Sequence, residues 1–229
     1  MGKLEDYSAL RQAHPELFDN PPDSGYSLLL DEQEIREAEA EMQAWLTQKG
    51  YPASWGEVGI AYQDPFLLIL RDAVRYPDNS TGTYIRCTTQ LERGHSVAIL
   101  PLHQQQVLLI RHFRHALRTW SLEVPRGFGT KGLAIEQSAL KEAGEEIGAT
   151  ISRLVPLGRV HPDSGMLADV VELFYADVAS YEGIDELRGI AEPVPTPLAQ
   201  FEKLIGDGQI TDSFTIAAYT RAKLRRLIP

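Results

Sequence analysis

Three glutamates, Glu142, Glu145 and Glu146, stand at spacings i, i+3 and i+4 in a stretch with helical periodicity. At about 100° per residue they share an arc of roughly 100° on one helix. Like charges so placed repel one another, and repel more where solvent is partly excluded. Lys141 is the only basic residue inside the helix. A hard divalent cation ligated by carboxylate oxygens turns that repulsion into attraction. A solvated acidic face is the other reading of the same spacing.

The helix should span about residues 135–147, with Gly148 after it. Ala139, Leu140, Ala143 and Ile147 occupy an arc beside the glutamates. That arc should dock the helix and leave the carboxylates at the edge of the core.

The surrounding elements are mostly strands. Val58–Tyr62, Phe66–Tyr76 and Thr83–Gln90 have strand character, with a turn over Pro77–Gly82. Ser96–Leu102 and Val107–Ile110 flank a short polar link, which predicts a hairpin. Residues 120–124, about 151–160 and about 169–178 are further strands, and two helices start near Pro197 and Thr211. Antiparallel strands, one central helix, more strands and terminal helices make an α+β chain. Residues 1–55 read differently. Asp31 opens a helix, with Glu34 placed for a capping box and Ile35, Met42, Trp45 and Leu46 along one apolar edge; Gly50 closes it. The expected division is a helical extension over 1–55, a small β-sheet domain over 56–90 and a main domain over 91–229.

In front of the central helix, Gly127-Phe-Gly129-Thr-Lys-Gly132 spells Gly-x-Gly-x-x-Gly. After a strand and before a helix this is a dinucleotide-binding pattern, so a nicotinamide-dependent oxidoreductase is one reading. Pro125 at the corner and the run of hairpins count against it. So does Val155–Val160, which has no acidic residue where the next strand should end in one.

The stretch from Gly127 to Gly148 resembles the Nudix box, Gly-x5-Glu-x7-Arg-Glu-U-x-Glu-Glu-x-Gly-U, with U a bulky aliphatic. Gly127, Glu142, Glu145, Glu146 and Gly148 stand at matching positions. Leu133 replaces the first Glu, Lys141 replaces the Arg, and Ala143 and Ala149 fill the aliphatic positions. The flanks are similar to the ADP-ribose pyrophosphatase branch. Arg111-His-Phe-Arg114 resembles its Arg-x-x-Arg element, and Glu123-Val-Pro-Arg-Gly127 its Glu-Leu-Pro-Ala-Gly element. His161–Gly165 and Val171–Ala176 look like its Pro-Gly loop and next strand, and Gly208–Thr215 like its terminal helix start. The resemblance covers about residues 56–227.

This resemblance implies a Nudix α/β/α sandwich with a small N-terminal antiparallel β-sheet domain. It implies hydrolysis of a diphosphate in a nucleoside diphosphate derivative such as ADP-ribose, with Mg²⁺ or Mn²⁺. The implied metal ligands are Glu142, Glu145, Glu146 and the carbonyl of Arg126. The implied substrate-binding residues are Arg111, Arg114, Glu123 and Gly127. Glu142, Glu145 and Glu186 are the candidate catalytic groups, Glu186 as general base in the acidic loop with Glu182 and Asp185. A homodimer is also implied. Leu133 and Lys141 change a supporting pair together, which leaves open a silent domain that only binds a nucleotide sugar.

The bulk numbers bound the partners. The chain has 229 residues, 43% hydrophobic and 24% charged, as expected of a globular protein. A net charge of −10 argues against a nucleic-acid or anionic-membrane partner. The one cysteine, Cys87, excludes an intrachain disulfide. With no apolar leader and no run near the ~18 apolar residues a span requires, a soluble cytoplasmic protein is expected.

Overall fold

The computed structural model describes residues 3–89, 91, 94–183, 189–191 and 193–229. The chain divides into two units, Met1–Leu91 with Asp163–Ala168, and Glu92–Pro162 with Asp169–Pro229.

The first unit contains α1 (Lys3–Ala13), a 3₁₀ turn (Pro15–Phe18), β1 (Ser27–Leu28) and α2 (Glu32–Gln48). A second 3₁₀ turn (Ala53–Gly56) leads to β2 (Gly59–Gln63), β3 (Leu68–Arg75) and β4 (Thr81–Thr88). All pairings in this sheet are antiparallel, with β3 bonded to β1, β2 and β4. Tyr7, Phe18, Ile35 and Ala38 from the helical segment share one core with Val58, Leu68, Leu70 and Ala73. Helices before residue 55 and strands after it therefore bury a common apolar surface.

Asp31 caps α2 as expected, accepting from the backbone N–H of Gln33 (2.9 Å) and Glu34 (3.2 Å). The carboxylate of Glu34 turns to Arg75 at 3.0 Å, so the reciprocal half of the capping box is replaced by an ion pair. The buried edge of α2 is Ile35, Ala38 and Leu46, while Trp45 is 50% exposed. The sequence reading missed α1, whose Tyr7 hydroxyl donates to buried Asp72 at 2.5 Å.

The second unit contains β5 (Gly94–His103), β6 (Gln106–Arg114), β7 (Thr119–Glu123), β8 (Arg126–Gly129) and α3 (Ile135–Ile147). It continues with β9 (Ala149–Val160), β10 (Val171–Tyr181), β11 (Val194–Pro197), α4 (Leu198–Gly206) and α5 (Ser213–Leu224). The sheet runs β11-β6-β5-β10-β9, with β7 on β6 and β8 on β5. The β5–β10 pair is parallel and the others are antiparallel, so the sheet is mixed.

Alternation along β5 builds the layers. Ala98 and Leu100 pack with Phe201, Phe214, Ala218 and Ala222 of α4 and α5. Val97 and Ile99 pack with Ala139 of α3. All four β5 side chains are fully buried, which explains why the strand reads as a continuous apolar run. Helices cover both faces, giving the α/β/α sandwich that the resemblance implies. The β5–β6 hairpin closes through Gln104 (φ 46°) and Gln105 (φ 66°), both left-handed as a two-residue primed turn requires. Among the described residues, no helix is long and apolar enough to cross a membrane.

Candidate functional site

The central helix occupies Ile135–Ile147, as its spacing predicts. Its docked face differs from the expected one. Leu140 is 43% exposed, whereas Ser138, Ala139, Ala143, Glu146 and Ile147 are buried. At about 100° per residue, Glu146 lies only roughly 20° from Ala139, at the centre of the contact face. The carboxylates are thus divided. Glu146 is buried, Glu142 is half-buried, and Glu145 is exposed with its nearest cation, Lys141, 3.8 Å away.

Two carboxylates fit beneath the helix because β8 is nearly bare. The Gly-rich segment forms a strand, paired with β5 at Ala98↔Arg126, Val97↔Gly127 and Ser96↔Phe128. Glu146 Oε2 accepts the backbone N–H of Arg126 at 2.9 Å. The carboxylate of Glu142 lies on Gly127, where an added Cβ would meet Oε2 at 2.1 Å. At Gly129 an added Cβ would meet the carbonyl oxygen of His95 at 2.4 Å. These two glycines of the Gly-x-Gly-x-x-Gly pattern admit a carboxylate and a neighbouring strand. The segment is a sheet strand, not a phosphate loop between strand and crossover helix.

Gly129→Ala should therefore destabilise the protein. The obstacle is backbone held in the β5–β8 ladder and cannot rotate away. An overpacking cost of about 1–3 kcal/mol is expected. Denaturant unfolding measures it, and a melting curve unchanged from wild type would contradict the close approach.

Burial raises the carboxyl pKa values on this face. Glu146 is pushed up to about 7 by desolvation, against the Arg126 amide that lowers it, with the Glu142 charge raising it further. Glu142 is also raised, first by desolvation and then by Glu145. The hard oxygen donors and the mutual repulsion fit a divalent cation. Among the described residues, no three His, Cys, Asp or Glu side chains are yet gathered closely enough to hold one ion.

Glu123 is buried beside this strand with 1% of its side chain exposed. It takes both donors of a fork from Arg114, with Nε to Oε2 at 3.0 Å and the terminal nitrogen to Oε1. Arg126 Nε and His112 Nδ1 approach its Oε1 at 3.5 Å each. Arg114 and Glu123, both expected to bind substrate, are thus bound to each other. Arg111 is exposed and lies over the Trp120 ring at 4.8 Å. The pKa of His112 is lowered by burial and by the Arg114 charge, against the Glu123 charge that raises it.

Glu186 and Asp185 lie outside the described residues. The segment before them is tied to the end of α3. Glu182 donates its N–H to the Gly148 carbonyl at 3.3 Å, and Gly148, at φ 61°, faces the Gly183 carbonyl so closely that a Cβ would meet it at 2.7 Å. Leu133 is 40% exposed on the loop before α3. Sequence reasoning missed His112, the Arg126 guanidinium and Asp212. Asp212 carried a detectable signal, an Asp before a helical run.

Residues 92–194 match the NUDIX domain. The chain is 25% identical over 139 residues to the ADP-ribose pyrophosphatase of Bacillus subtilis, covering 58% of this chain and 74% of that one. It is 31% identical over 100 residues to a phosphate acetyltransferase of Pseudomonas aeruginosa, a match spanning 43% of this chain and 13% of that longer protein. The crystal structure of an ADP compounds hydrolase superposes with a TM-score of 0.64 at 18% identity, over 73% of this chain and 90% of that one. This last likeness bears on the fold, and it agrees with the sandwich described above. The domain match, the similarity to that pyrophosphatase and the glutamate-bearing helix lodged on β8 converge on one segment: residues 92–194 carry a NUDIX domain, and the chain is similar to an ADP-ribose pyrophosphatase.

Proposed function

We propose that the protein hydrolyses the diphosphate linkage of a nucleoside diphosphate derivative such as ADP-ribose, using Mg²⁺ or Mn²⁺. The observation that carries this reading is the placement of Glu142 and Glu146. Two desolvated carboxylates of one helix rest on the backbone of Arg126 and Gly127, where burial raises both pKa values, the Glu145 charge adds to the rise at Glu142, and the Glu142 charge adds to the rise at Glu146. Glu142, Glu145 and Glu146, with the Arg126 carbonyl, would hold the metal. A bound divalent cation supplies charge for the phosphate oxygens and acidifies the attacking water. The chain's own residues then have distinct tasks. The Arg126 amide holds Glu146 in place, and Gly127 leaves room for Glu142. Arg111 supplies positive charge for the diphosphate, since a guanidinium fork suits phosphate. Arg114, held on Glu123, contributes its charge from a fixed position. Glu186 takes a proton from water, with Glu142 or Glu145 as the alternative.

The reaction breaks one P–O–P bond with water and leaves two phosphomonoesters. Full-length protein with a panel of nucleoside diphosphate derivatives and Mg²⁺ or Mn²⁺ should release such products, and excess chelator should stop release. Undiminished turnover in chelator would refute the metal assignment. Because no three ligating side chains are gathered among the described residues, a silent binding domain is the second reading. It requires binding of a nucleotide sugar with no product under any metal. We also assign the protein to the cytoplasm and to a homodimer. Light scattering at micromolar concentration tests the latter, and an active monomer excludes it.

A further inference from the structure

Arg126 is gripped from both faces of the sheet. Its backbone N–H donates to Glu146 of α3 at 2.9 Å. Its guanidinium goes toward α5, to Asp212 Oδ1 at 3.2 Å and over the Phe214 ring at 4.8 Å. This follows from register, because Arg126 pairs with Ala98, whose side chain faces α4 and α5. The second oxygen of Asp212 caps α5, accepting from Thr215 N at 2.8 Å and Thr215 Oγ1 at 2.7 Å. Thr215 Oγ1 in turn accepts the N–H of Val124 at 3.0 Å. Pro125, between them, has no N–H to offer. The segment 124–126, laddered to β5 on one side through Ile99 N–H to the Pro125 carbonyl at 3.0 Å, is thus tied to the start of α5 by one hydrogen bond and one ion pair and presents its one remaining amide to Glu146.

We propose that Asp212 is a positioning residue for the glutamate site: by holding the Arg126 guanidinium while capping α5, it sets where the Arg126 backbone and therefore Glu146 sit. It touches no reacting atom. The inference rests on the metal reading above. Asp212 is 6% exposed, so its charge and that of Arg126 meet away from bulk water, where a lost partner is felt most. Partners that orient ligands indirectly typically change metal affinity or activity by about 10–100-fold when removed.

The test is Mn²⁺ binding to the full-length protein without substrate, read by electron paramagnetic resonance of the free ion, together with kcat and KM for ADP-ribose. Asn caps helices about as well as Asp, so Asp212→Asn should fold and melt close to wild type. It should bind Mn²⁺ about tenfold more weakly, with kcat partly recovered at saturating Mn²⁺ and KM for ADP-ribose unchanged. Arg126→Gln leaves the α5 cap intact and should show the same loss. The double variant should be no worse than either single one. Asp212→Asn with wild-type Mn²⁺ affinity overturns the proposal, as do losses that multiply in the double variant. A wild type that binds no Mn²⁺, or binds it equally well as Glu146→Gln, overturns the metal reading itself and this proposal with it. A shifted KM with unchanged Mn²⁺ affinity also overturns it, by placing Asp212 in substrate binding.

Discussion

Glu146→Gln should abolish turnover and yet make the protein more resistant to heat in chelator. Both effects come from one placement. The carboxylate sits in the docked face of α3, 7% exposed, and accepts the backbone N–H of Arg126. Ionising it there is costly, and its pKa is accordingly raised to about 7. At pH 8 without metal the native state carries that cost and the unfolded state does not. Gln can still accept the Arg126 amide and carries no charge. The gain should be on the order of 1–3 kcal/mol, or roughly 2–4 °C in Tm per kcal/mol for a chain of this size. The sign is that of a raised carboxyl: the penalty is absent below the unfolded value of 4.5 and full above about 7. In Mg²⁺ the order should reverse, because a ligand bound only by the native state stabilises it. kcat should fall by orders of magnitude, since charge stabilisation by the metal is worth several kcal/mol. Calorimetry with and without metal, beside a turnover assay, measures both. A variant that keeps wild-type kcat would remove Glu146 from the site.

Gly127→Ala should uncouple stability from activity. An added Cβ would lie 2.1 Å from Glu142 Oε2 and 2.2 Å from its Cδ. The obstacle is the end of a flexible side chain, so it can swing into solvent at little cost to the fold. Melting should therefore change by only a few degrees. The carboxylate must leave its seat on β8, however, and displacement by about 1 Å at such a site can cost ~10²-fold in rate. Gly144→Ala is the control in the same helix. Nothing lies within 4 Å of its added Cβ, so Ala should stabilise the helix by ~0.5–1 kcal/mol and leave activity unchanged. Full activity of Gly127→Ala would mean that Glu142 has no fixed post on the strand.

The sandwich was legible in the sequence because its signals are local. Residues 97–100 and 107–110 are apolar without interruption, which marks strands buried on both sides. The span of α3 followed from its periodicity and Gly148. Asp31 announced α2 by its capping chemistry. The misses share a cause. α1 has weak amphipathicity and is held by tertiary contacts such as Tyr7 on Asp72. β8 is Arg-Gly-Phe-Gly, whose two glycines disfavour a strand and leave only Phe128 to favour one, and it exists because β5 pairs with it.

The site divides in the same way. Sequence spacing alone brought Glu142, Glu145 and Glu146 to one side of one helix, since 3.6 residues per turn leaves little freedom. It also placed glycines where the box requires them. It did not reveal which carboxylates are buried. Leu140 looked like a core residue and is exposed, while Glu146 occupies the centre of the contact face. That outcome depends on β8 offering a bare backbone and a free amide, which no residue of α3 encodes. Arg114 and Glu123 likewise read as two separate polar residues; the β6–β7 register, with Arg114 opposite Thr119 and Glu123 opposite Ile110, brings both to one face of the hairpin, where the long Arg114 side chain reaches the carboxylate. Local geometry is written in the chain because it follows from neighbours a few residues apart. Burial and charge pairing were decided by tertiary structure, because they depend on partners such as Asp212 and Arg126 that lie far apart in sequence and meet only across the folded sheet.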